Sequence, residues 1–293
     1  MAKIDWNAIN IKTGKNVTSK IINRLYTQPQ LKELCFKISS EDEYQSLCGP
    51  RGGFKKEFAL EWLENNWKKL YPKIKTATRE MFFSSDKLKE QQSGCANYDL
   101  ELAHYQDTTK HLYPRKLMGN QIDDMVNQYT RNHQGLIDKD ETDAHYSDII
   151  YDMNVNKRLT TTRNDLCELL LIHNNLEIMP TLKHISGVDY FIDGVAYDQK
   201  VSISTGAYQV PSDIKKINKY DLAKTLLENQ TAGRFNNFNR VFIVFVDKAC
   251  DEINEQNIVF HLMNAKITNN TDIVKYKFNN TNYSCKVKTL LVY

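Results

Sequence analysis

The stretch GVDYFIDGVAYDQKVSIS, Gly187 to Ser204, decides how the chain is read. Asp193-Gly194 is a strong two-residue turn signal, because a type I′ turn needs φ > 0 at both central positions and Asp-Gly adopts that with little strain. Counting outward from the turn pairs Ile192 with Val195, Phe191 with Ala196, Tyr190 with Tyr197 and Asp189 with Asp198. Directly opposed residues have Cβ atoms roughly 4.5–5.5 Å apart on one face of the sheet, so two like charges would stand side by side. A hairpin selected for stability alone avoids that. Alternation along the strand places Lys200 on the same face as Asp198, and two carboxylates with an ammonium make a site for a divalent cation.

Working outward, a helix is expected from about Arg163 to His173, capped by Thr161-Thr162 and burying Leu166, Leu169, Leu170 and Ile172. A short strand over Leu176 to Met179 then leads into the hairpin. Ser212 and Asp213 are expected to cap a second helix reaching Asn229. Arg240 to Asp247, RVFIVFVD, is almost wholly apolar, as in a strand buried on both faces. Further strands are expected at Ile258 to Met263, Ile273 to Phe278 and Cys285 to Val292.

The amino-terminal half reads as mainly helical. Lys20 to Phe36 has helical spacing interrupted near Gln28-Pro29-Gln30, and Lys55 to Leu70 is amphipathic with Phe58, Trp62, Leu63, Trp67 and Leu70 on one stripe. Arg51-Gly52-Gly53 reads as a connector. Gln91-Gln92-Ser93-Gly94, Asn132-His133-Gln134-Gly135 and the acidic cluster Asp138 to Asp143 read as loops. The last of these lacks the central glycine and terminal glutamate of an EF-hand. A boundary near Asn154 would divide a helical region, residues 1–154, from a second unit, residues 155–293.

Composition narrows the class. The 293 residues are 41% hydrophobic and 26% charged, ordinary values for a globular protein. No run approaches the roughly 20 apolar residues of a membrane span. MAKIDWNAIN has no signal-peptide apolar core, so a cytoplasmic protein with no membrane partner is expected. The six cysteines have no metal-finger spacing and are expected to be reduced. A net charge of +3 neither demands nor excludes nucleic acid. Lys215, Lys216 and Lys219, with Arg234 and Arg240, could follow a DNA backbone.

Asp189, Asp198 and Lys200, set in GVDYFIDGVAYDQKVS between a preceding helix and a following helix and strand, resemble the PD-(D/E)xK nuclease superfamily, which includes many type II restriction endonucleases. The resemblance covers about Arg163 to Asp247. Val188 stands where the motif has proline, and Asp198 fills the second acidic position in place of glutamate. What the resemblance implies is an α/β fold, a mixed sheet flanked by helices in a restriction-endonuclease-like core, with a largely helical amino-terminal region for DNA recognition or dimerisation. It implies Mg²⁺ held by Asp189, Asp198 and the carbonyl of Gln199, with Lys200 acting on the attacking water. Glu168 would be an additional acidic residue, with Glu57 on the amino-terminal helix as its rival. The implied partners are double-stranded DNA and a second copy of the chain in a homodimer. Structure-specific repair, recombination or phage-defence nucleases, and a non-catalytic nucleic-acid-binding module, are the alternatives.

Overall fold

In the computed structural model, which describes residues 4–107, 141–202, 205–229, 238–246, 254–267 and 271–293, Asp193 and Gly194 have φ of 51° and 79°. These are the two positive values that a type I′ turn demands. Strands β2 (Val188–Ile192) and β3 (Val195–Ser202) flank the turn, with Ile192–Val195, Phe191–Ala196 and Tyr190–Tyr197 paired as expected. β1 (Ile178–Ile185) runs antiparallel to β2 at the sheet edge, where Pro180 withholds no hydrogen bond from a further strand. It is longer than expected and begins two residues later.

Six strands form one mixed sheet in the order β1-β2-β3-β4-β6-β5. β4 (Arg240–Phe245) is parallel to both β3 and β6 (Thr281–Val292), and β5 (Asp272–Phe278) is antiparallel to β6. β4 is buried at every position, as its unbroken apolar run requires.

Among the described residues the helices are α1 (Ser19–Leu25), α2 (Gln28–Ile38), α3 (Glu41–Ser46), α4 (Lys56–Phe83), α5 (Asp86–Cys95), α6 (Tyr98–Asp107), α7 (Glu141–Asn174), α8 (Lys219–Glu228) and α9 (Glu255–Leu262). Helices cover both faces of the sheet. α8 packs Leu222, Leu226 and Leu227 with Phe242 and Val244, while Val241, Ile243 and Phe245 face a larger core that includes Leu171, Ile172 and Ile258 from α7 and α9. That larger core also takes in Trp6, Leu34, Trp67 and Phe82 from the amino-terminal half. No helix among the described residues is both long and apolar enough to cross a membrane.

Several local expectations are corrected. Gln91 to Gly94 lies inside α5, which starts under a Ser85 cap. α7 begins at Glu141, so Thr161 and Thr162 are interior rather than capping, and Asn154 falls within the helix. α4 continues through Pro72 to Phe83 because Ile74, Ala77, Thr78 and Met81 keep its buried stripe going, whereas Phe58 is exposed. Ile258 to Leu262 is helical: Ile258 and Leu262, four apart, are buried while Phe260 between them is exposed. Asp213 caps only a 3-10 turn over Ile214–Lys216, and Asn218 caps α8. Asn132 to Gly135, Asp138 to Asp140, Arg234 and Asp247 lie outside the described residues.

The hairpin turn is clamped by the start of the chain. The Ile11 amide donates to the Gly194 carbonyl at 2.9 Å, Asn10 bridges Val195, and Lys12 Nζ lies 3.1 Å from Asp193 Oδ1. A Cβ at Gly194 would lie 2.3 Å from the Lys12 backbone nitrogen. Gly194→Ala is therefore expected to cost about 1–2 kcal/mol for the left-handed backbone alone, plus the displaced clamp. Urea unfolding reads the total, and hydrogen exchange at the Ile11 amide should accelerate; an unchanged midpoint would show that the clamp adds nothing.

Candidate active site

The antiparallel ladder between β2 and β3 ends at Tyr190–Tyr197. At the next position the strands part. Asp198 donates its amide to the Asn239 carbonyl at 3.0 Å and joins the parallel ladder opposite Arg240. The Gln199 amide, which a continued hairpin would direct at a β2 carbonyl, donates to Asp189 Oδ2. The expected fourth pair, Asp189 with Asp198, is thus replaced by a splayed strand end with a carboxylate inserted in it. The cause lies partly in β1: its register shifts after Pro180, and the Thr181 hydroxyl takes the Asp189 carbonyl at 2.9 Å.

Asp198 is 7% exposed and sits between two cations. Lys200 Nζ and Arg240 Nη1 each lie 3.0 Å from its Oδ2. Arg240 has no exposed surface, so it does not track DNA as its sequence position suggested. Its guanidinium lies 5.8 Å from the Phe238 ring centre. The Lys200 side chain keeps 45% of its surface in solvent.

Burial first, then the charges of Asp198 and Glu168, push the Asp189 carboxyl up to about 7. Burial and the Glu168 charge raise Asp165, one turn earlier on α7, to about 6. Unfolded aspartate titrates near pH ~4, so between about pH 4 and 7 the folded chain binds more protons than the unfolded one. Its stability then falls as pH rises. In chelator, the urea midpoint should drop across that window and Asp189→Asn should flatten the drop; a midpoint that climbs through it would contradict this electrostatic picture.

Glu168 is also brought to this end of the sheet, with 7% exposure. Its Oε1 lies 3.3 Å from Lys87 Nζ and its Oε2 3.4 Å from Gln91 Nε2, both on α5. Glu57 is exposed on α4 in a different cleft, with Ser19, Glu61 and Glu64, so Glu168 is the acid that stands with the hairpin pair. The Gln199 side chain points away from Asp198, as alternation requires, donating to the Asn164 carbonyl at 2.9 Å and accepting from the Tyr190 hydroxyl at 3.2 Å.

No family model, curated protein or solved structure matches this chain. Hydrogen bonds and ion pairs engage Oδ2 of both Asp189 and Asp198, leaving Oδ1 of each without a hydrogen bond among the described residues. Two adjacent acids with oxygens to spare suit a hard cation. Among the described residues no three His, Cys, Asp or Glu side chains converge as a metal cage; a two-carboxylate site needs main-chain oxygen and water to complete it.

Lys87, Gln91, Thr181 and Asn239 carried no sequence signal for this site. Asn239 is 3% exposed and joins four segments. Its amide accepts from Lys286 N at 3.0 Å and donates to the Ala196 carbonyl at 3.0 Å, while its backbone bonds Asn7 and Asp198. Arg240 could have been found: an arginine opening a fully apolar strand must be buried with a partner or lie at the strand's exposed end. The five described cysteines form no disulfide, and burial raises Cys35 and Cys167 to about 12, which leaves them unreactive thiols.

Proposed function

We propose that the chain is a Mg²⁺-dependent endonuclease acting on double-stranded DNA, in the manner of a type II restriction enzyme. The single observation that carries this reading is the splayed end of the β2–β3 hairpin, where Asp189, Asp198 and Lys200 share one site. The order α7, β1 to β3, α8, β4 supports it, since a helix, a hairpin, a second helix and a buried strand are what the superfamily resemblance implies. In this reading residues 155–293 form a restriction-endonuclease-like catalytic core, and residues 1–154 contribute to recognition or dimerisation. The enzyme would work in the cytoplasm as a homodimer on a palindromic site, two-fold protein symmetry matching two-fold DNA symmetry.

Asp189 and Asp198 would hold Mg²⁺, with the Gln199 carbonyl as a third ligand. The ion supplies charge neutralisation on the phosphoryl oxygens. Everything else falls to the chain's own groups. Arg240 and Lys200 keep the Asp198 carboxylate in place, and the Gln199 amide and Thr181 hydroxyl fix Asp189 at its carboxylate and its carbonyl. Lys200, nearly half in solvent, would orient the attacking water as an ammonium and face the negative charge that develops on the phosphoryl oxygens, while the water's proton passes to bulk solvent. Lys215, Lys216 and Lys219, on the turn before α8 and at its start, would contact phosphates.

The test is incubation of the full chain with several unrelated plasmids in Mg²⁺ and in EDTA. Discrete fragments in Mg²⁺ alone are expected. A smear or a preference for branched DNA would favour a structure-specific nuclease, and salt-sensitive binding without cleavage in Mg²⁺ or Mn²⁺ would overturn catalysis in favour of a binding module.

A further inference from the structure

Lys87 is an unusual cation. It is the second residue of α5, where the partial positive charge of the helix amino terminus disfavours an ammonium. Its side chain is also only 11% exposed, and burying an ammonium is costly unless its donors are satisfied. The surroundings explain why it is held there. Nζ lies 3.3 Å from Glu168 Oε1 and 3.3 Å from the Thr181 carbonyl oxygen, and 5.7 Å from the centre of the Phe82 ring. A carboxylate, a carbonyl and an aromatic face make a fitted ammonium cage.

Both oxygens of Glu168 are therefore engaged. Lys87 holds Oε1, and the Gln91 amide spans Oε2 and Asp165 Oδ1 at 3.4 Å each. Asp189 and Asp198 differ, since each keeps Oδ1 clear of hydrogen bonds among the described residues. The two halves of the site are joined at Thr181, whose carbonyl accepts from Lys87 and whose hydroxyl donates to the Asp189 carbonyl. A carboxylate and a main-chain carbonyl are also what a hard divalent ion would take, so the ammonium occupies the place where a second ion would otherwise bind.

We propose that Lys87 is the resident counter-cation of Glu168, so that the site takes one divalent ion, on Asp189 and Asp198, and Glu168 acts as a positioning residue outside the metal's ligand set. This rests on the metal-dependent reading above. It adds the stoichiometry of the ion and a role for a lysine far from the motif in sequence.

Mn²⁺, which is visible by electron paramagnetic resonance, is the probe, titrated into the full chain by equilibrium dialysis. Wild type is expected to bind one ion per chain, Asp189→Asn none, and Glu168→Gln still one, with the same spectrum. Lys87→Met, which empties the cage, should gain a second and weaker ion that Lys87→Met/Glu168→Gln loses again. If Lys87→Met does not fold, Glu168→Gln carries the test alone. Two ions on wild type with one lost in Glu168→Gln would overturn the proposal while leaving metal-dependent chemistry standing. No Mn²⁺ bound by wild type would overturn both.

Discussion

Lys200→Ala is expected to leave the chain folded and to lower the proposed Mg²⁺-dependent DNA cleavage by about 10²–10³-fold, the usual loss when a group placed against transition-state charge is removed. The two halves of that expectation come from different features of one side chain. Its ion pair with Asp198 is 3.0 Å long, but nearly half of the side chain is in solvent. Exposed pairs contribute only about 0–1 kcal/mol, and Arg240 still neutralises Asp198 when Lys200 is gone. In the proposed reaction the same exposure would let Lys200 face a water on the scissile phosphate. Single-turnover cleavage of plasmid and a urea midpoint, measured on one preparation, separate the effects. Undiminished cleavage by a folded Lys200→Ala would remove Lys200 from the mechanism, and an unfolded variant would show that its stability is not dominated by solvent-screened contacts.

Arg240→Met should do the reverse and act on stability. Arg240 is wholly buried against Asp198, itself 7% exposed. Removing the wholly buried partner leaves Asp198 with only the half-exposed Lys200 as its cation and a cavity in place of the guanidinium, at a cost of up to about 3–5 kcal/mol. Replacing both partners by neutral groups of similar volume is far less harmful, so Arg240→Met/Asp198→Asn should recover much of the loss. Asp198→Asn alone should destabilise in the same direction, because it removes the guanidinium's ion pair with Asp198. A double-mutant cycle in urea measures the coupling, and a coupling near zero would mean that the two charges are balanced by other groups.

The parts of the fold that were legible in the sequence are those set by local chemistry. Asp193-Gly194 specified its own turn, and three hairpin pairs followed by counting. Val241 to Phe245 form a strand buried on both faces because every side chain in that run is apolar. Periodicity also found α2 and the start of α4. It failed where two periods fit the same letters: Ile258, Val259 and Leu262 read as a strand until burial shows a four-residue repeat. At the site, Asp189, Asp198 and Lys200 were found because they are near in sequence. Lys87 and Arg240 were not assigned their roles because their partners are set by the packing of α5 on α7 and by the parallel register of β3 with β4. No local pattern names either partner, although an arginine opening an apolar strand does signal that Arg240 needs one.

The clamp on the hairpin turn has a consequence for the order of folding. Lys12 and Asp193 are 181 residues apart in the chain. At roughly 5–20 residues per second of synthesis, about 10–40 s separate the emergence of the two, so the clamp cannot close until the hairpin is made, although the 3-10 turn Ile11–Thr13 already has α4 to pack on. Contacts of such long sequence separation form late, after the loop entropy between them has been overcome. The clamp is therefore a late addition to a segment that can already rest on α4, and the hairpin turn is locked only when that segment and the finished β2–β3 pair meet.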